Sequence, residues 1–264
     1  MAKLIDIFNK SISKVRGFYP FSIKRFSFKG DPDHVTFWRK VHKGRWEPFT
    51  FEVLEHYLQK NSVFLDIGAW IGVVSLYAAK LCNKVYAIEP DFVAFRYLSW
   101  NIELNKAFNI IPLQFALSSK DKSLISMSVF NEKPGSSETS FIRKAKIDTL
   151  SIQVLSLSWE TLINLIHPDS NKISLIKMDI EGAEFEIIPS MLDFLREFRV
   201  SLYVSFHATF LDDTKRKSEI EYILSLLSFY PKIYSKGFKL ININKIKQEI
   251  FEENRAYLFS FFNF

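Results

Sequence analysis

The residues of this 264-residue chain whose types and spacing could do chemistry fall into three groups. The first is the turn Asp66-Ile67-Gly68-Ala69-Trp70-Ile71-Gly72, where glycine lets backbone approach a ligand closely. Its D-x-G-x-x-x-G spacing lacks the G-x-G-x-x-G run of a pyrophosphate-binding dinucleotide site, which disfavours NAD and favours a ligand without phosphates. The second is Glu89-Pro90, about one βαβ half-turn downstream, where an acid can accept hydrogen bonds from both hydroxyls of a ribose. Each charge-assisted bond of that kind contributes on the order of 1.5–3 kcal/mol. An Asp-x-Gly turn alone is common at strand-to-helix junctions; the acid closing the next strand is what points to a cofactor site. The third group is Asp179, Glu181, Glu184 and His207. Either His207 or a carboxylate removes a proton from an acceptor directly, a role that suits histidine's ordinary pKa, or these residues hold a divalent ion, for which oxygen-rich ligands suit magnesium or manganese. Two plainer explanations stand beside these: His207 satisfied by backbone groups at a strand end, and Glu184 as a favourable charge in a helix's first turn, worth about 0.3–1 kcal/mol.

For these groups to meet, each must sit just beyond the carboxyl end of a strand in one open sheet. From Ser62 onward the sequence alternates strand and helix, the pattern of an α/β, Rossmann-like, mostly parallel sheet covered on both faces. Val63 to Ile67, Lys84 to Glu89, Ile110 to Phe115, Ile173 to Met178 and Val200 to Phe206 read as strands, with short segments near Ile233 and Tyr257 to Phe261 completing the sheet. Helices are expected over Ile71 to Leu81, Phe92 to Asn105, Ala183 to Leu195 and Lys217 to Phe229. Glu47 to Lys60 reads as a further helix, with Pro48 near its start, where a missing N–H costs least. Residues 1–46 are expected to form an N-terminal extension of basic amphipathic helix and loop, and 47–264 the catalytic domain. An insertion at about 118–158 is expected to carry its own hairpin in the turn-rich segment Asn131 to Ser140.

Composition narrows the function classes. At 48% hydrophobic and 24% charged the chain is globular. It has no apolar run near the roughly 20 residues of a membrane-spanning helix and no secretory signal in its first twenty residues, so the expected location is the cytoplasm. The single cysteine, Cys82, argues against a disulfide framework or thiolate metal cluster. His34 and His42 form no metal spacing. A net charge of +6 and a pI near 9.2 invite a nucleic-acid partner. The basic residues, however, read as spread from Lys10, Lys14 and Arg16 through Lys120, Lys122, Arg143, Lys144 and Lys146 to Lys215, Arg216 and Lys217. With acids interleaved, they read as solvated faces, and no nucleic acid is expected. Within residues 3–16, Leu4, Ile5, Phe8, Ile12 and Val15 share one helical face among lysines. Such a helix packs on the domain or a partner, or lies on an anionic membrane surface. The turn Gly135 to Ser140 is a solvent loop or a lid over the pocket, and the 27 phenylalanines are mostly core.

The sequence resembles the FkbM-type S-adenosylmethionine-dependent methyltransferases. The resemblance runs through Trp46-Glu47-Pro48, Phe64 to Gly72, Ala87-Ile88-Glu89-Pro90, Asn101 with Asn105, Ala116-Leu117-Ser118, the distinctive Ile176-Lys177-Met178-Asp179-Ile180-Glu181-Gly182-Ala183-Glu184, and Ser205-Phe206-His207. It implies a seven-stranded class I methyltransferase domain. S-adenosylmethionine would be held by Asp66, Gly68, Ala69, Trp70, Gly72, Glu89, Pro90, Asn101 and Ala116. A methyl group would pass to a hydroxyl of a sugar, glycan or secondary metabolite near Asp179, Glu181, Glu184 and His207. In-line transfer from a sulfonium leaves the protein mainly alignment, proton removal and charge placement. The family commonly has Asn where Trp70 stands, and often Asp where Ser158 stands. Trp70 thus puts a bulky ring beside the expected methionine or ribose end of the cofactor. Two alternatives come with these readings. Nucleic-acid methylation is disfavoured, because no Asn-Pro-Pro-Tyr or Asp-Pro-Pro-Tyr segment is present. A cofactor-binding protein without catalysis, suggested by Trp70 and Ser158, is disfavoured by Glu89, Asp179, Glu181 and His207.

Overall fold

Short apolar runs bounded by turns become the strands, because a run buried on both faces needs no polar alternation. All five residues of Val63–Ile67 are buried. In the computed structural model, which describes residues 10–128 and 151–263, the strands in chain order are β1 (Tyr19–Ile23), β2 (Phe26–Gly30), β3 (Val63–Ile67), β4 (Lys84–Ile88), β5 (Ile110–Leu113), β6 (Ala116–Leu117), β7 (Ser123–Ser128), β8 (Ser151–Leu157), β9 (Ile173–Met178), β10 (Ser201–Phe206), β11 (Lys232–Ser235), β12 (Lys239–Leu240) and β13 (Arg255–Ser260). The main sheet has the order β12-β11-β13-β10-β9-β3-β4-β5. β5, β4, β3, β9 and β10 pair in parallel, and β13 runs antiparallel between β10 and β11. The expected seven strands are present, with two-residue β12 added at the edge.

The strand order reverses at β3, whose neighbours are β4 on one side and β9 on the other. A crevice opens at such a point beyond the strands' carboxyl ends. Period-two alternation divides the core between the two faces of the sheet. Val63, Leu65, Ile67, Ile176, Met178, Leu202 and Val204 pack on one side with helix Glu184–Glu197, and Phe64, Val85, Leu175 and Tyr203 on the other. Asp66 and Lys177 are register partners on that second face.

Residues 10–16 are helical, and residues 17–46 carry more regular structure than the loop read from sequence. β1 and β2 form an antiparallel hairpin, followed by helix Val35–His42. The signal was the alternation in Tyr-Pro-Phe-Ser-Ile and Phe-Ser-Phe-Lys-Gly, which buries Phe21, Ile23 and Phe28 on one face. Trp38 stacks on Phe21 at 4.6 Å and is wholly buried, and burial of its whole side chain contributes about 3 kcal/mol. The segment is thereby part of the core on the sheet's second face. Pro48 opens helix Pro48–Tyr57 as expected.

The third strand ends two residues earlier than read, at Leu113, and Ala116–Leu117 joins a separate three-stranded sheet, β6-β8-β7. Within the insertion, β7 and β8 pair antiparallel from Ser123↔Ser156 to Ser128↔Ser151. The hairpin expected at Asn131 to Ser140, and with it the suggested lid, lies outside the described residues. Ser158 is a helix cap: its Oγ accepts from Thr161 N–H at 3.2 Å at the start of helix Trp159–Leu165.

Candidate active site

A cleft of about 570 Å³ lies beyond the carboxyl ends of β3, β4, β9 and β10. Its first wall is the turn after β3. Gly68 has φ +83°, and a Cβ there would stand 1.9 Å from the carbonyl oxygen of Asp179, so only glycine lets the turns after β3 and β9 approach this closely. Trp70 is also left-handed, φ 49°, which directs its N–H toward β4. There the N–H donates to Glu89 Oε2 at 2.8 Å, while Asp91 N–H donates to Oε1 at 2.8 Å. Burial pushes the Glu89 carboxyl up to about 7, although these two backbone donors pull the other way. The acid is therefore pre-oriented at the cleft and sensitive to pH near neutrality.

The ring of Trp70 turns toward the N-terminal segment, meeting Phe37 edge-on at 4.6 Å and His34 at 6.0 Å. Phe37, Lys40 and Trp46 join it in lining the cleft. The bulky departure from the family pattern is thus matched by an aromatic wall from residues 37–46. Sequence reasoning missed those lining residues because they come from outside the sheet.

Gly68, Ala69, Trp70, Glu89, Pro90 and Ala116 all line the cleft. Three other residues expected to hold the cofactor do not. Asp66 is fully buried behind the turn, where Ser75 Oγ donates to its Oδ2 at 2.5 Å and Lys177 Nζ lies 3.6 Å from its Oδ1. Gly72 abuts Leu98 of helix Phe92–Asn105. Asn101 is fully buried, donating to Ile71 O at 2.9 Å and to Asp31 Oδ2 at 3.2 Å, and accepting from Asp31 N–H at 2.8 Å. These residues shape the turn from behind, because a strand's last inward-facing residue and a helix's inner face meet the core before they meet a ligand.

The opposite wall comes from the turns after β9 and β10. Asp179 and His207 directly follow these parallel neighbours and both line the cleft, as does Glu181. Glu184 is fully buried behind them. Its Oε1 accepts from Ile180 N–H and its Oε2 from Gly182 N–H, each at 2.9 Å, and His207 Nδ1 lies 3.0 Å from Oε1. Glu184 therefore both closes the turn before helix Glu184–Glu197 and fixes the imidazole, leaving Nε2 3.6 Å from both Asp179 Oδ1 and Glu181 Oε2. Burial alone would lower the His207 pKa, but the Glu184 hydrogen bond and the three carboxylates outweigh it and hold it up at about 10. An imidazole held that high carries its proton at neutral pH. Its partner is the Glu184 side chain rather than backbone, and its pKa stands above histidine's ordinary value. Asp179, Glu184 and His207 each offer a ligand atom within 4.8 Å of the others. Glu184, however, is already committed to two amides and the imidazole.

Lys177 links the two walls. Buried at 4% exposure, its Nζ lies 3.3 Å from Gly68 O, 3.5 Å from Asp179 Oδ2 and 3.6 Å from Asp66 Oδ1. Burial disfavours its charge, yet Asp179, Asp66 and Glu47 together raise its pKa. Glu47, with φ 36°, opens on the cleft; enclosure by protein and then Asp179 raise its own pKa. Both lie within the segments that carry the family resemblance. A lysine inside the apolar strand Ile-Ser-Leu-Ile-Lys-Met was the available signal.

Strand order and a cleft at the switch point define the class: an open, Rossmann-like α/β fold. The chain belongs to the Methyltransferase FkbM domain family, which it matches over residues 66–240. It is 29% identical over 160 residues to Methyltransferase sdnD of Sordaria araneosa, covering 50% of this chain and 61% of that protein. It is 24% identical over 150 residues to Methyltransferase 1 of Beauveria bassiana, covering 50% of this chain and 59% of that one. The chain thus spans about six-tenths of the length of these curated relatives. Among solved structures it is similar to Methyltransferase FkbM from Methylobacillus flagellatus, with TM-score 0.45 and 16% identity over 87% of this chain and 55% of that one.

Proposed function

We propose that this methyltransferase uses S-adenosylmethionine and methylates a hydroxyl of a polar small molecule, a sugar, glycan or hydroxylated metabolite. The observation that carries the proposal is one cleft with a buried acid, Glu89, on one wall and a Glu184-oriented imidazole flanked by Asp179 and Glu181 on the other. The absence of a phosphate-binding glycine run beside Glu89 supports a nucleoside ligand without phosphates. When bound, S-adenosylmethionine supplies an electrophilic methyl group on a sulfonium and leaves as a neutral thioether.

The protein's share is proton removal and charge placement. Glu184 holds the Nδ1–H of His207, so that Nε2 faces the cleft as the proton acceptor. His207 takes the hydroxyl proton in its neutral form, whose share rises with pH. Asp179 and Glu181 stabilise the imidazolium that forms again once the acceptor hydroxyl gives up its proton. This arrangement completes proton transfer with side chains alone. The commitment of Glu184 leaves Asp179, Glu181 and Nε2 as the groups that a magnesium or manganese ion would have to use.

The test is transfer of labelled methyl from S-adenosylmethionine to saccharides, nucleotide-sugars and hydroxylated metabolites, with RNA in parallel. Label on a hydroxyl of a small acceptor, unchanged by a chelator, is expected. Methylation of RNA alone would overturn the acceptor class. Activity lost with chelator and restored by magnesium or manganese would overturn the metal-free proton route.

A further inference from the structure

The chain's positive charge is not spread evenly. Between residues 10 and 46 stand Lys10, Lys14, Arg16, Lys24, Arg25, Lys29, Arg39, Lys40, Lys43 and Arg45, against only Asp31 and Asp33. That excess is larger than the +6 of the whole chain, so everything outside this segment is net acidic. The structure sharpens the asymmetry. Asp31 is wholly buried, bound to His34, Trp38 and Asn101, and all ten basic residues except Arg39 are exposed. Glu55 engages Lys24 and Arg25. Arg16 and Lys29 converge on the ring of Phe18, at 5.7 and 4.7 Å, joining the 10–16 helix and the β1–β2 hairpin in one basic surface. Beside them Val15 is 93% exposed and Ile12 is 41% exposed, one turn apart.

We propose that this N-terminal segment docks the enzyme on an anionic lipid bilayer. Basic side chains near an anionic leaflet each strengthen binding by about fivefold, and exposed apolar side chains between them enter the headgroup boundary. Charge alone would serve a nucleic acid equally; the apolar pair set among Lys10, Lys14 and Arg16 is what selects a bilayer. The segment also supplies Phe37, Lys40 and Trp46 to the cleft, so docking carries the cleft's wall to the headgroup layer. No helix of the described residues is long and apolar enough to cross a membrane.

The test is co-sedimentation of the full chain with phosphatidylcholine vesicles and with vesicles containing phosphatidylserine, at low and high salt. Binding to the anionic vesicles at least about tenfold tighter than to the neutral ones, and weakened by salt, is expected. The double variant Lys14→Glu/Arg16→Glu should lower it by about tenfold or more, and Ile12→Ser/Val15→Ser by several-fold. Both should keep the wild-type melting temperature and methyl transfer to a soluble acceptor. Equal affinity for neutral and anionic vesicles, or no effect of the charge reversal, would overturn the proposal. So would an unbranched RNA that displaces the protein from vesicles while Ile12→Ser/Val15→Ser binds both as wild type does. The readout is binding, so it stands or falls separately from the choice of methyl acceptor.

Discussion

At the β3–β4 wall of the cleft the geometry is made by main chain. Gly68 at φ +83° and Trp70 at φ 49° bend the turn, and two amides hold Glu89. At the β9–β10 wall it is made by charge, with Glu184 pinning His207 and Asp179 and Glu181 facing its other nitrogen. The two walls therefore respond to different perturbations. A backbone-built wall is rigid and fails by steric change, whereas a charge-built wall keeps its shape and changes its chemistry with protonation.

The largest expected effect breaks the first wall. Gly68→Ala forces a Cβ against Asp179 O at 1.9 Å in a left-handed conformation. A cost of about 3–5 kcal/mol and a fall in melting temperature of roughly ten degrees are expected, read by thermal denaturation with and without cofactor. Next, His207→Ala and Asp179→Asn should each leave the fold intact and lower turnover by about 10²–10⁴-fold, measured at saturating substrates.

The pH dependences sharpen the contrast. His207 has a folded-state pKa of about 10, above its ordinary 6.5, so the stability it contributes is complete below about 6.5 and is lost as pH rises toward 10. Melting temperature should fall over that window in wild type and much less in His207→Ala, while turnover of wild type rises with pH as the imidazole is freed. Glu89, raised to about 7, costs stability as it ionises between 4.5 and 7. Cofactor affinity should weaken as pH drops through 7, by at most about tenfold per unit. Isothermal titration at several pH values separates the two profiles. The smallest effect belongs to Asn101→Ala, which removes bonds to Ile71 and Asp31 behind the turn. A loss of about 1–3 kcal/mol in stability, with cofactor affinity within a few-fold, is expected by denaturant titration.

The same contrast accounts for what the sequence made legible. Strands buried on both faces announce themselves as apolar runs, and a glycine turn followed by a strand-ending acid marks the main-chain wall, so the sheet and Glu89 could be read directly. Depth was harder: Asp66 and Asn101 have ligand-like side chains, but periodicity does not say that Ser75, Lys177 and Asp31 already occupy them. Asp179 and His207 were legible as neighbours because β9 and β10 are adjacent and parallel, yet the protonation of His207 follows from carboxylates brought together only in three dimensions. Lys177 and the aromatic wall of Phe37, Trp46 and Trp70 depend on the same long-range assembly.

The most direct test of a two-walled cleft is calorimetric titration of S-adenosylmethionine into wild type, Glu89→Ala and His207→Ala at pH values above neutrality. Removal of the Glu89 carboxylate should weaken binding by about 10–100-fold, the equivalent of one charge-assisted hydrogen bond, while His207→Ala stays within a few-fold of wild type. Unchanged affinity in Glu89→Ala together with lost binding in His207→Ala would put the cofactor on the opposite wall and contradict the account.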